Sequence, residues 1–162
     1  MFSSGSHSLQ FRFSGNRLGQ IEMKTSLEHG GLKGGQMKEI RILIADDTEF
    51  VRRRVRSILS DQQCWRIVGE AAAELDLLAK ANELTPDVVI MDIARPILGG
   101  LDAAKKILET QPYVKIIVLS IQDDGPLVWC VLGAGEGGYV LKPEFSRNLA
   151  ASVRSACSGL LV

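Results

Sequence analysis

The chain has 162 residues, 46% of them hydrophobic and 23% charged, with a formal net charge of 0 at pH 7, which suits one soluble domain with a substantial core and gives no global attraction to nucleic acid or to an anionic membrane. Both histidines, His7 and His29, fall ahead of every regular element, so Ser-His-Asp and Cys-His catalysis is excluded from the folded part; Cys64, Cys130 and Cys157 lack zinc-site or disulfide spacing and read as reduced, partly buried thiols. No apolar run approaches the roughly 18 to 20 residues of a membrane span and no signal-peptide core is present, so a cytoplasmic protein is expected.

Residues 1–37 carry glycine, serine and scattered charge without periodicity, which predicts a disordered N-terminal extension ahead of a domain over 38–162. Ile40 to Ala45 is apolar apart from Arg41 and reads as a first strand, ending in the carboxylate pair Asp46-Asp47. Thr48 is a candidate N-cap, after which Val51, Val55, Ile58 and Leu59 recur on one helical face, with Arg52, Arg53 and Arg54 off that stripe as a solvated basic run. Trp65 to Gly69 predicts a short second strand, and Leu75, Leu78 and Ala79 a helix that stops before Pro86. Val88 to Met91 has no polar break, as befits a strand buried on both faces, and Asp92 follows at its carboxyl end.

A loop from Ile93 to Gly100, with Pro96, Gly99 and Gly100, leads to a helix whose Leu101, Ala104, Ile107 and Leu108 face inward until Pro112 halts it. Lys115 to Leu119 is the fourth strand and runs into Ser120; a helix through Pro126 to Leu132 then leads to a fifth strand, Gly138 to Leu141, ending in Lys142-Pro143. The last helix, Ser146 to Cys157, turns Leu149, Val153 and Ala156 to the core. Five strands alternating with five helices imply an α/β fold, a doubly wound parallel sheet with helices on both faces.

In such sheets the ligand crevice lies outside the carboxyl ends of the strands. Strands one, three, four and five deliver Asp46-Asp47, Asp92, Ser120 and Lys142 to that rim. A carboxylate cluster without His or Cys suits a hard cation such as Mg²⁺, and a cation beside a nucleophilic carboxylate, a hydroxyl and a lysine suits phosphoryl transfer to an aspartate. Each residue also has a plainer reading: Asp46 or Asp47 as a helix cap, Ser120 as a turn hydroxyl, Lys142 as an exposed lysine. Their joint placement on four strands favours the site.

Ile42-Leu43-Ile44-Ala45-Asp46-Asp47, Val89-Ile90-Met91-Asp92-Ile93, Val118-Leu119-Ser120 and Gly138-Tyr139-Val140-Leu141-Lys142-Pro143 resemble the signature segments of the two-component response-regulator receiver domain, over about residues 38 to 158. The Gly-Tyr-Val-Leu-Lys segment is similar to receivers that carry LuxR-type helix-turn-helix domains. The resemblance implies a flavodoxin-like sheet of strand order 2-1-3-4-5, an order the general rule itself illustrates with a receiver. It makes Asp92 the phosphoacceptor, charged by a histidine kinase or a histidine phosphotransfer protein. It assigns Mg²⁺ to Asp47 and Asp92, helped by Asp46 through water and by the Ala94 carbonyl. Ser120 and Tyr139 become the switch pair, Lys142 the phosphate contact, and Lys142-Pro143 a cis peptide. Output would pass through the face of the fourth helix, fifth strand and fifth helix.

The chain departs from the pattern at Arg95, Gly99 and Ile121, the last large enough to restrict a donor. Leu127, Trp129 and Cys130 on the fourth predicted helix suggest an interface for a second copy or a downstream protein. The leading expectation is a signalling phosphoprotein rather than an enzyme, with self-catalysed phosphorylation from small donors and autodephosphorylation, and with no direct nucleic-acid or membrane contact by this chain. The chain ends soon after the last predicted helix, which leaves either a single-domain regulator or a receiver fragment of a longer DNA-binding transcription regulator. A pseudo-receiver acting only by protein contact is a further alternative. A phosphatase of the haloacid dehalogenase type would want its acids two residues apart, whereas Asp46 and Asp47 are adjacent.

Overall fold

The computed structural model describes residues 38–93, 100–121 and 137–158. The expected disorder of 1–37, the Ala94 carbonyl, Arg95, Gly99 and the helix through Leu127, Trp129 and Cys130 all lie outside the described residues. Five parallel strands form one sheet in the order β2-β1-β3-β4-β5: β1 is Ile40–Ala45, β2 Trp65–Ala71, β3 Val88–Asp92, β4 Lys115–Ser120 and β5 Gly138–Leu141. The helices are α1 (Glu49–Leu59), α2 (Glu74–Leu84), α3 (Gly100–Thr110) and a C-terminal helix (Phe145–Cys157) entered by a 3₁₀ turn, Lys142–Glu144. The doubly wound fold is as expected.

The three central strands explain the core. Successive side chains of a strand alternate between faces. Ile42, Ile44, Val88, Ile90, Ile117 and Leu119 therefore meet α1 and the C-terminal helix, whereas Leu43, Ala45, Val89, Met91, Ile116 and Val118 meet α2 and α3. All five residues of β3 are buried. The polar exception in β1, Arg41, is accommodated because its guanidinium donates to the Leu84 carbonyl at 2.7 Å.

Several expectations need correction. β2 continues to Ala71, two residues past Gly69, because β1 keeps pairing through Ala45↔Ala71. α2 buries Leu77 and Ala81 while Leu75 is 82% exposed and Ala79 is also exposed; its Leu- and Ala-rich sequence offers two apolar stripes, and the one in register with Leu84 packs. The C-terminal helix buries Phe145 and Cys157 beside Leu149 and Val153, with Ala156 half-buried. Cys64 is exposed rather than partly buried; it occupies a turn with φ 66°, and its carbonyl accepts the Ile40 N–H at 2.8 Å. The Lys142-Pro143 peptide is trans, not cis: Pro143 enters the 3₁₀ turn that the Phe145 N–H closes on the Lys142 carbonyl, and the fixed φ of proline suits that position. Among the described residues no helix is long and apolar enough to cross a membrane.

Candidate functional site at the carboxyl rim of the sheet

Strand register brings the candidate residues to one rim. Ala45 pairs with Met91, so Asp46 and Asp92 are the next residues along adjacent strands. Ser120 pairs with Leu141, placing Lys142 one step beyond Ser120 on the neighbouring strand. Asp46 and Ser120 are fully buried and Asp92 is 1% exposed, so none of the three is an ordinary surface polar group.

Lys142 joins them. Its Nζ donates to Asp46 Oδ2 and to Asp92 Oδ2, each at 2.7 Å, and its side chain is 11% exposed. A bare pair of buried like charges is costly, and an ammonium set between them offsets much of that cost. The plainer reading of Lys142 as an exposed lysine is thereby overturned: its stem reaches back over the strand ends to the acids.

The turn after β1 arranges the other acid. The Thr48 N–H donates to Asp46 Oδ1 at 2.8 Å, and the Thr48 hydroxyl donates to Asp47 Oδ1 at 3.0 Å. Thr48 does stand at the N-cap position of α1 with extended backbone, but its hydroxyl makes no cap bond; the side chain is engaged by Asp47 instead. Ser120 ends β4, and half-buried Tyr139 stands on β5 opposite Val118, packed on the α2 and α3 side of the sheet. Ile121, read as large enough to restrict a donor, is 61% exposed.

The donor set is all oxygen. Among the described residues no three His, Cys, Asp or Glu side chains form a metal cage, but Mg²⁺ typically takes one or two carboxylates and completes its shell with water and phosphate oxygens. Two carboxylates already close enough to share one ammonium fit that requirement.

Two contributors were not legible as site residues. Arg52, read as part of a solvated run, has a side chain only 14% exposed and donates from Nη1 to the Asp46 carbonyl at 2.7 Å. Its sequence signal is position: it follows Val51 of the buried stripe and sits four residues after Thr48. Gly100, read as a turn glycine, opens α3 against the end of β3, where a Cβ would lie 2.4 Å from Ile93 Cα and 2.7 Å from the Asp92 carbonyl oxygen.

A family model described as the response regulator receiver domain matches residues 42–154. Response regulator GacA of Pseudomonas aeruginosa is 34% identical over 120 residues, covering 74% of this chain and 56% of that protein. Response regulator UvrY of Escherichia coli (strain K12) is 38% identical over 120 residues, covering 74% of this chain and 55% of that protein. The crystal structure of a two-component response regulator of the LuxR family from Aurantimonas sp. SI85-9A1 superposes with a TM-score of 0.67 at 27% identity, over 75% of this chain and 87% of that one. The chain thus spans about half the length of these curated relatives.

Proposed function

Because this chain belongs to the response regulator receiver domain family, we propose that its domain over 38–162 accepts a phosphoryl group on Asp92 from a histidine kinase or histidine phosphotransfer protein. The observation that carries this reading is the Lys142 ammonium held 2.7 Å from both Asp92 and Asp46 at the carboxyl ends of the strands. In the transfer, an Asp92 carboxylate oxygen attacks phosphorus, a P–O bond forms, the P–N bond to the donor imidazole breaks, and that imidazole takes up a proton from solvent. In this reading the donor imidazole belongs to the kinase or phosphotransfer protein; the chain's own histidines, His7 and His29, both precede the first strand.

Lys142, already bonded to Asp92, would follow the charge as it moves from the carboxylate to the phosphoryl oxygens. Asp47 and Asp92, helped by Asp46 through water and by the Ala94 carbonyl, would hold Mg²⁺, which when bound would supply positive charge to offset that developing on the phosphoryl oxygens. Ser120 would donate a hydrogen bond to the new phosphoryl group, and Tyr139 would change its packing in response, biasing the face made by β5 and the C-terminal helix. A cleft lined by Phe50, Val51, Arg54, Lys142, Pro143, Phe145 and Ser146 opens beside Lys142, and Phe50 is 76% exposed there; apolar surface next to the acceptor suits a protein donor. Self-catalysed phosphorylation from small donors and autodephosphorylation belong to the same reading, and no enzyme turnover does.

The half-length coverage of the relatives favours a second reading alongside it, in which this chain is the receiver portion of a longer DNA-binding transcription regulator. One experiment tests the shared chemistry. The protein is incubated with Mg²⁺ and acetyl phosphate and weighed intact; one added phosphoryl group is expected, and none in Asp92→Asn. If neither acetyl phosphate nor a histidine-phosphorylated donor adds mass to the native chain, the phosphoacceptor reading fails in favour of a pseudo-receiver acting by protein contact.

A further inference from the structure

We propose that Arg52, braced by Glu70, is a positioning residue that fixes the Asp46–Asp47 turn and, through it, the acids that would hold the cation; the cation half of this inference rests on the phosphoacceptor reading. Arg52 lies on α1 beside the buried stripe. Its Nη1 donates to the Asp46 carbonyl at 2.7 Å, its Nε donates to Glu70 Oε2 at 3.1 Å, and its Nη2 pairs with Glu49. One planar group therefore links a helix, a strand and the turn between β1 and α1.

The carbonyl it grips belongs to the peptide that joins Asp46 to Asp47. Rotation of that peptide carries the Asp47 Cα, and with it the Asp47 carboxylate, relative to β1. Other bonds hold Asp46 from different sides: its N–H donates to the Ala71 carbonyl at 3.1 Å, and its carboxylate accepts from Lys142 and from the Thr48 N–H. Arg52 adds the hold on the carbonyl. The brace is referenced to the same place, because Glu70 pairs with Ile44 and Ala71 with Ala45 at the end of β2. Glu70 is in turn tied down by Arg56 through its carboxylate and by Lys80 through its carbonyl.

Arg52 serves its three acceptors from separate nitrogens of a rigid planar fork; a lysine keeps the charge, but its donors share one freely rotating nitrogen that does not span the same acceptors. Arg52→Lys therefore separates positioning from charge. If Arg52 merely stapled α1 to β2, its replacement would lower stability and leave the turn and the cation untouched.

The test combines amide hydrogen exchange by NMR with calorimetric titration of Mg²⁺ into the full chain. In Arg52→Lys the Thr48 amide is expected to exchange about tenfold faster while core-strand amides keep their protection, and Mg²⁺ binding is expected to weaken roughly tenfold, as for other residues that orient a metal ligand. Arg53→Lys, at a side chain 75% exposed and 3.9 Å from Glu49, is the control and should change neither. Glu70→Gln, which keeps an acceptor on the brace, should fall between them and serves if Arg52→Lys proves unstable. A folded Arg52→Lys with wild-type Thr48 exchange and wild-type Mg²⁺ affinity overturns the proposal. Wild-type protein that takes up no Mg²⁺ sinks the phosphoacceptor reading and the cation half with it, while the exchange measurement still decides whether Arg52 holds the turn.

Discussion

At the scale of single residues, the rim is a case of charge held under constraint. Asp46 and Asp92 are buried within reach of one ammonium, so the three groups carry one negative charge in excess before any donor arrives. Removing the cation leaves two buried carboxylates facing each other, and breaking a buried pair in this way costs about 3 kcal/mol. Lys142→Met is expected to lower stability by that amount in urea unfolding. Asp92→Asn, which leaves one Lys142–Asp46 pair and no excess charge, should stay within about 1 kcal/mol of wild type. The reverse ranking would mean that Lys142 does not neutralise the acids. The identity of these residues was legible because each stands at a strand end, and strand ends are marked by where an apolar run stops. Their bonding was not. That Lys142 bridges to Asp46 as well as Asp92, that the Thr48 hydroxyl turns to Asp47, and that Arg52 reaches the Asp46 carbonyl all depend on distances set by tertiary packing, which hydropathy does not encode.

At the scale of elements, strands were easier to read than helix faces. β3, β4 and β5 stand where an apolar run meets a polar end, whereas α2 presents two overlapping stripes and its neighbours decide between them, burying Leu77 and Ala81. The packing of α3 on the end of β3 depends on a missing atom. A Cβ at Gly100 would meet the Ile93 Cα and the Asp92 carbonyl, both of them main chain that has no rotamer with which to give way. Gly100→Ala must therefore displace the first turn of α3 from the strand that carries Asp92, at a cost of about 2 kcal/mol, as for other overpacked sites. Gly69→Ala is the informative comparison. There the nearest atom is the Leu84 Cδ1, the tip of a flexible side chain, and a rotation relieves the contact. Urea midpoints should fall clearly for Gly100→Ala and less for Gly69→Ala; equal losses would show that the approach of α3 to β3 has slack.

At the scale of the whole molecule, the sheet is sealed on both faces by helices, and this was legible as an alternation of strands and helices. The strand order 2-1-3-4-5 came from likeness to a family, because β-α alternation alone does not say on which side of β1 each new strand is laid. One consequence of the two-sided seal is the state of Cys157. It ends the C-terminal helix fully buried against Val88, Val153 and their neighbours on the α1 side. Burial pushes its thiol from 9.0 up to about 11, the negative charge of Asp87 adds to the rise, and Lys115 and Lys38 act weakly against it. A group whose folded pKa is raised binds its proton more tightly in the native state. Its contribution to stability is then complete below the unfolded value of 9.0 and is lost as pH climbs toward about 11, where the unfolded chain alone gains from releasing the proton. The loss should be on the order of 2 kcal/mol across that window. Tyrosines and lysines titrate in the same range, so the measurement is a comparison of slopes: urea unfolding of wild type and Cys157→Ala at intervals between pH 8 and pH 11. The alanine variant starts lower for want of the packed sulfur, and the two curves converge as pH rises. Parallel curves would mean that the C-terminal helix lifts from the sheet readily enough to hydrate Cys157, and that the seal on this face is looser than its packing implies.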